Sequence, residues 1–99
     1  MAQIMILYWR DIPAQVVAKA GRSSAKRELS LRFTEAIDMA AMRSGSHQSE
    51  TYLAEWRRGE PQPGGEDLEA EAQATADRLE RDYSKERLVK LAANGGKEA

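Results

Sequence analysis

Ile4-Met5-Ile6-Leu7-Tyr8-Trp9 is an unbroken apolar run that stops at Arg10-Asp11. β-Branched and aromatic side chains of this kind suit a pleated strand. Successive side chains of a strand project from opposite faces, so Ile4, Ile6 and Tyr8 share one face and Met5, Leu7 and Trp9 the other. A strand that is apolar on both parities needs cover above and below, as a central strand does. The run therefore demands a sheet around it and a second layer packed on that sheet.

Asp11-Ile12-Pro13 interrupts the run. Proline has no N–H for a ladder and belongs at a turn or a strand start. Residues 14–20 then alternate, Val16 and Ala18 against Gln15, Val17 and Lys19, which predicts a second strand antiparallel to the first. Gly21-Arg22-Ser23-Ser24 ends it. Leu29, Phe33, Ala36, Ile37, Ala40 and Ala41 recur with the 3.6-residue period of one helix face. Ser30 or Ser24 is the expected N-cap, and Gly45 the residue just past the end. Arg32, Glu35, Asp38 and Arg43 fall off the stripe and are expected in water. After the polar loop 46–49, Tyr52, Ala54 and Trp56 alternate with Thr51, Leu53 and Glu55. This reads as a third strand, with a helical turn as the alternative for so short a run.

Gly59-Glu60-Pro61-Gln62-Pro63-Gly64-Gly65 is the strongest break in the chain. Beyond it, Leu68, Ala72, Ala76, Leu79 and Tyr83 form a thin helical stripe. Ser84 caps a further segment whose Leu88, Val89, Leu91 and Ala92 lie on a shifted face, and Asn94-Gly95-Gly96 stops it. The order strand, strand, helix, strand, helix gives an α+β fold, a small two-layer sandwich on a three-stranded sheet. The expected organisation is a compact α+β domain over 1–58, a Pro/Gly linker over 59–65 and an acidic C-terminal helical segment over 66–99.

A chain of 99 residues makes one domain. It has no cysteine, which excludes disulfides, thiolate metal sites and cysteine nucleophiles. Small secreted domains usually carry disulfides, and the opening apolar run is too short for a signal segment or a membrane span. A cytoplasmic protein is expected, with no membrane partner. The net charge of −1 is unevenly placed: residues 1–58 hold nine Lys/Arg and six Asp/Glu, residues 59–99 six and ten. Without a clear basic excess, nucleic acid is not an expected partner.

His47, the sole histidine, sits among serines in the polar loop and has no triad spacing, so it reads as a solvated side chain. Glu66, Asp67, Glu69 and Glu71 open a helix, where carboxylates complement the dipole; no metal is expected there. The glycines of 59–65 match no phosphate-binding pattern. No catalytic residue and no cofactor-binding residue emerges, so the protein is not expected to be an enzyme or to carry a cofactor. Arg22, Lys26, Arg27 and Arg32 gather around the start of the first helix, and Arg57-Arg58 follow the third strand. Such a patch suits a phosphate or an acidic partner, or is an ordinary solvated face. Two strands each supply an aromatic pair, Tyr8 with Trp9 and Tyr52 with Trp56. One of Tyr8 and Trp9 faces the first helix; the other is covered by the second helix or by another protein, and aromatics are favoured interface anchors. The candidates for binding a partner are Tyr8, Trp9, Tyr52, Trp56, Arg22, Arg27 and Arg57.

Several of these residues resemble a known family. Ile12-Pro13 followed by Gln15-Val16, then Leu29 with Arg32-Phe33, Ala36-Ile37-Asp38 and Ala40, then Tyr52-Leu53 with Trp56, are similar to three blocks of the bacterial virulence-factor domain family. The resemblance covers roughly residues 4–58. In that family the domain also forms the C-terminal part of conserved virulence factor C proteins, after helical repeats, and stand-alone copies are often encoded beside folate and corrinoid methyl-transfer enzymes. The family has no agreed catalytic residues to carry over. The resemblance implies a non-catalytic accessory or interaction protein, docked onto a larger partner such as a one-carbon enzyme; a homo-oligomer is the other expected way to cover the second face of the sheet. The alternatives are a small anion-binding or catalytic domain using Arg10, Asp11 and Arg57 or Arg58 at strand ends, and a regulatory protein that affects virulence indirectly.

Overall fold

The computed structural model describes residues 2–45 and 49–98. The N-terminal apolar run is β1 (Ala2–Trp9), the inner strand of an antiparallel sheet. β2 (Ile12–Ala20) flanks it on one side, and β3 (Ser23–Glu28) continues the meander to the edge. Along its other side β1 pairs with two short strands in tandem, β4 (Trp56–Arg58) on its second half and β5 (Gln62–Gly64) on its first.

The fold is α+β, but the sheet has five strands among the described residues where three were expected. Each difference has a physical cause. β3 reads Ser-Ser-Ala-Lys-Arg-Glu and buries one apolar side chain, Ala25; its ladder to β2 is made by backbone, which leaves no hydrophobic signature. β5 arises inside the segment expected to be a linker. Its Pro63 is tolerated because the strand is an edge strand. Residues 50–57 divide into a helix, α2 (Ser49–Ala54), and β4. Tyr52 and Trp56 are two periods apart in a strand but also i and i+4 in a helix, and the run is too short to separate the two.

The β1–β2 turn is tighter than expected. Trp9 pairs with Ile12 across the two residues Arg10-Asp11, and Arg10 takes a left-handed φ of 55°, as a primed hairpin turn requires. The Arg10 N–H donates to the Glu55 carbonyl (3.1 Å) and the Asp11 N–H to that of Gly96 (2.8 Å). Pro13 lies within β2 opposite Tyr8, beside a bulge that leaves Ala14 as the extra residue. The freed Ala14 carbonyl accepts from the Leu29 N–H (3.0 Å) and so starts the turn into the first long helix.

That helix, α1 (Leu31–Arg43), and Leu29 before it bury the whole expected stripe: Leu29, Phe33, Ala36, Ile37, Ala40 and Ala41. Ser30 is the N-cap, but its side chain donates rather than accepts. Its N–H and hydroxyl both point to the Glu80 carboxylate, at 2.6 and 2.8 Å. Glu80 belongs to α3 (Leu68–Asp82), whose own N-cap Asp67 accepts from the Ala70 N–H at 3.1 Å. α3 lies across β2 and β3 and buries Ala72, Thr75, Ala76 and Leu79. Its small side chains let the helix backbone approach the sheet closely. Ser84 caps α4 (Lys85–Ala93), which packs on α1 through Leu88, Leu91 and Ala92. Residues from the sheet and all three long helices form one apolar cluster.

Candidate functional site

Away from the Trp9–Ile12 end of the hairpin, where both side chains are buried, the core uses one face of the sheet. Ile4, Val16, Ala18 and Ala25 turn inward, so the other parity of β1 to β3 falls on the opposite face. The strand register arranges that face in rows. Met5, Val17 and Lys26 stand side by side across β1, β2 and β3. Arg58, Leu7, Gln15 and Glu28 form the next row, from β4 to β3. Gln3, Lys19 and Ser24 form a third. Most of these residues, with Ile6, Gly21 and Arg22, line an open concavity of about 660 Å³ whose lining among the described residues comes from strands and turns alone.

Met5, Leu7 and Val17 are half-buried and stand outside the packed core cluster. Four cations frame them: Lys19, Lys26, Arg58 and, in the β2–β3 turn, Arg22. None of the four forms an ion pair among the described residues, whereas Arg10, Arg27, Arg32, Arg57 and Arg87 each pair with a carboxylate. The rows carry a single carboxylate, Glu28, at a corner. The face is thus an apolar centre inside a mainly cationic rim.

Of the residues singled out from sequence, Arg22 lies on this rim. Arg27 turns the other way, to Glu69 and to Gln73 (3.0 Å) on α3. Arg57 donates to the Arg10 carbonyl (2.9 Å), pairs with Asp11 (3.2 Å) and stacks over the Tyr8 ring with 4.6 Å to its centroid. The aromatics do converge, but on one another. The Trp9 and Tyr52 rings are 5.8 Å apart, and Tyr52 and Trp56 meet edge-on at 5.9 Å. Trp9 is 0% exposed and has no surface to offer. Its cover comes from α2 and from the Gly95-Gly96 turn, where a Cβ on Gly96 would stand 3.0 Å from the indole ring. Tyr8 is half-buried beside Gly59 on the core side. Met5, Leu7, Val17 and Lys19 escaped notice as site residues; the signal for them was the second apolar parity of β1 continued by Val17 on β2.

The strand-end polar residues are engaged within the chain. The Arg10 guanidinium donates to the Gly95 carbonyl (2.7 Å) and to Glu55 (3.4 Å). Asp11 accepts from Arg57 and from the Glu98 N–H (2.7 Å). These bonds tie the β1–β2 turn to the end of the described chain. Burial raises the phenol pKa of Tyr52, with Asp38 adding to it, and raises that of Tyr83. His47 lies outside the described residues. No described helix is long and apolar enough to cross a membrane.

An antiparallel α+β domain with helices on one side of the sheet and a bare, cation-rimmed apolar face on the other defines the class of this protein. The chain belongs to the virulence factor family, whose model matches residues 7–92. The match runs past the residues that carry the resemblance and takes in α3 and almost all of α4, so the acidic helical segment is part of the family's domain. No curated protein and no solved structure matches the chain.

Proposed function

We propose that this protein is a non-catalytic accessory module that docks onto a larger protein through the bare sheet face. The observation that carries the reading is the cluster Met5, Leu7 and Val17 standing outside the core inside a rim of cations that form no ion pair among the described residues. An apolar centre with a polar rim is the anatomy of a protein interface. The engagement of Arg10, Asp11 and Arg57 in contacts within the chain favours docking over a small-anion site at the strand ends. The family resemblance suggests the partner class, an enzyme that handles folate- or corrinoid-bound one-carbon units.

The test is an affinity pull-down with the wild-type chain and with Leu7→Glu, partners identified by mass spectrometry. Leu7 is half-buried and stands outside the core cluster, so the variant is expected to keep its circular dichroism spectrum. A stoichiometric protein bound by the wild type and lost by Leu7→Glu is the expected result. A partner held equally by both removes the sheet face from the reading; a protein recovered alone removes docking.

A further inference from the structure

The bare face has a width as well as a chemistry. Arg58 on β4 and Lys26 on β3 stand on either side of Met5, Leu7 and Val17. The strands run in the order β4-β1-β2-β3, three interstrand steps, or about 14 Å at the usual spacing. An α-helix with its side chains is about 10–12 Å across. We infer that the occupant of this face is an amphipathic helix of a partner protein, apolar along one ridge and acidic on both flanks. The inference rests on the docking reading above and names the partner's chemistry.

A ridge of apolar side chains laid along Met5, Leu7 and Val17 brings one flank of such a helix over Arg58. The other flank comes over Lys19 and Lys26, with Arg22 at the end of the strip. Acidic residues on both flanks then meet four cations that have no ion pair of their own among the described residues. Other occupants fit less of this. A single phosphate reaches one side of the apolar strip and leaves the other side's charge unanswered. An extended peptide adds to a sheet along its edge rather than across its face. Single-stranded nucleic acid stacks on aromatic side chains, and the three rows carry none. A second copy has an acidic helix, α3, but its apolar stripe of Ala72, Ala76 and Leu79 is already buried; the exposed apolar side chains of α1, Leu31, Met39 and Met42, stand among Arg32 and Arg43 as well as Glu35 and Asp38, so that helix does not present two acidic flanks. A helix from another protein adds a third layer on the sheet's free side, a standard layer arrangement.

The probe is a capped, fluorescein-labelled helical peptide of about 14 residues, or about 21 Å, with a leucine ridge and glutamate at the flanking positions. Its partner probe has the same ridge with lysine flanks. Binding is followed by fluorescence anisotropy to wild type, to Leu7→Glu and to the double variant Lys26→Glu with Arg58→Glu. These side chains are surface-facing, and circular dichroism checks that each variant folds. The glutamate peptide is expected to saturate the wild type, to weaken at least tenfold against both variants and to weaken with added salt. The lysine peptide is expected to prefer the double variant.

Glutamate and lysine peptides bound alike, or neither bound at peptide concentrations up to about 1 mM, which corresponds to about −4 kcal/mol, overturn the acidic helix. A dimer in sedimentation that Leu7→Glu dissociates overturns it in favour of a second copy. Binding to vesicles of phosphatidylglycerol and phosphatidylcholine, without peptide binding, overturns it in favour of a lipid surface. If the pull-down partner is lost with Leu7→Glu while the peptides fail, the docking reading stands and the helix inference alone falls.

Discussion

The indole N–H of Trp9 donates to the backbone carbonyl of Tyr52 over 2.9 Å. This bond joins the end of β1 to α2, a helix of six residues. Helices that short are unstable alone, so α2 depends on this bond and on the Trp9–Tyr52–Trp56 ring contacts. Trp9→Phe keeps an aromatic ring in place but removes the donor and leaves a small void. The expected cost is about 1–3 kcal/mol, read as a lower urea midpoint with an unchanged slope. A variant as stable as wild type would show that the bond contributes nothing. Trp9→Ala, at about 3–5 kcal/mol, is expected to unfold a domain of this size.

The C-terminal segment is expected to be indispensable to folding. Truncation after Arg58 removes β5, α3 and α4, and with them Ala72, Ala76, Leu79, Leu88, Leu91 and Ala92 from the apolar cluster. It also strips the Glu80 carboxylate from the N-terminus of α1. Ile4, Val16, Ala18 and Ala25 would then face water. The fragment 1–58 is expected to give a disordered far-ultraviolet circular dichroism spectrum and no cooperative melt. A cooperative transition in that fragment would show that α1 and the sheet form a sufficient core by themselves.

How much of this was legible in the chain follows from which residues hold each element. α1 was readable because Leu29 to Ala41 keeps one period long enough to exclude a strand, and its stripe is buried residue for residue. β2 was readable through Val16 and Ala18 against Gln15, Val17 and Lys19, and the break at Ser84 through its capping pattern. β3 and β5 were not, because Ser24, Lys26, Gln62 and Pro63 face solvent and the strands are held by backbone pairing. The site was half legible. β1 announced that its second face wanted cover, but the aromatics drew the anchor to Trp9. That residue is at the strand end, where α2 and Gly96 close over it; neither is near it in sequence.

Gly96 illustrates this distant constraint. Its φ is +89°, and a Cβ there would lie 3.0 Å from the Trp9 ring and 3.4 Å from the Ala40 Cβ. Both neighbours are fully buried and have nowhere to move. Gly21 has a similar φ of +58° with nothing near its missing Cβ. Gly21→Ala is therefore expected to carry the backbone penalty alone, about 1 kcal/mol, and Gly96→Ala about 1–3 kcal/mol more. Chemical denaturation of the two variants separates the contact from the conformation. Equal losses would mean that the Gly95-Gly96 turn yields without disturbing Trp9.

Alkaline pH should destabilise the fold, and Tyr83 is one reason. Its ring meets Phe33 at 6.0 Å and lies under the Arg87 guanidinium, 4.1 Å above its centroid. Burial pushes its phenol pKa above the ordinary 10.0; Tyr8 pushes the same way and Arg87 opposes. The folded state therefore holds the proton more tightly than the unfolded chain does. The associated stability is fully present below the ordinary phenol pKa and is lost as pH rises through the higher folded value. Tyr83→Phe removes the titrating group while keeping the ring. The variant is expected to match the wild type at neutral pH, apart from any small packing change, and to lose less of its urea midpoint between about pH 9 and pH 11, with Tyr52→Phe behaving alike because burial also raises Tyr52. Midpoints measured across that range decide the matter: if Tyr83→Phe and Tyr52→Phe decline as steeply as the wild type, the alkaline loss comes from other groups and the burial of these two phenols does not govern it.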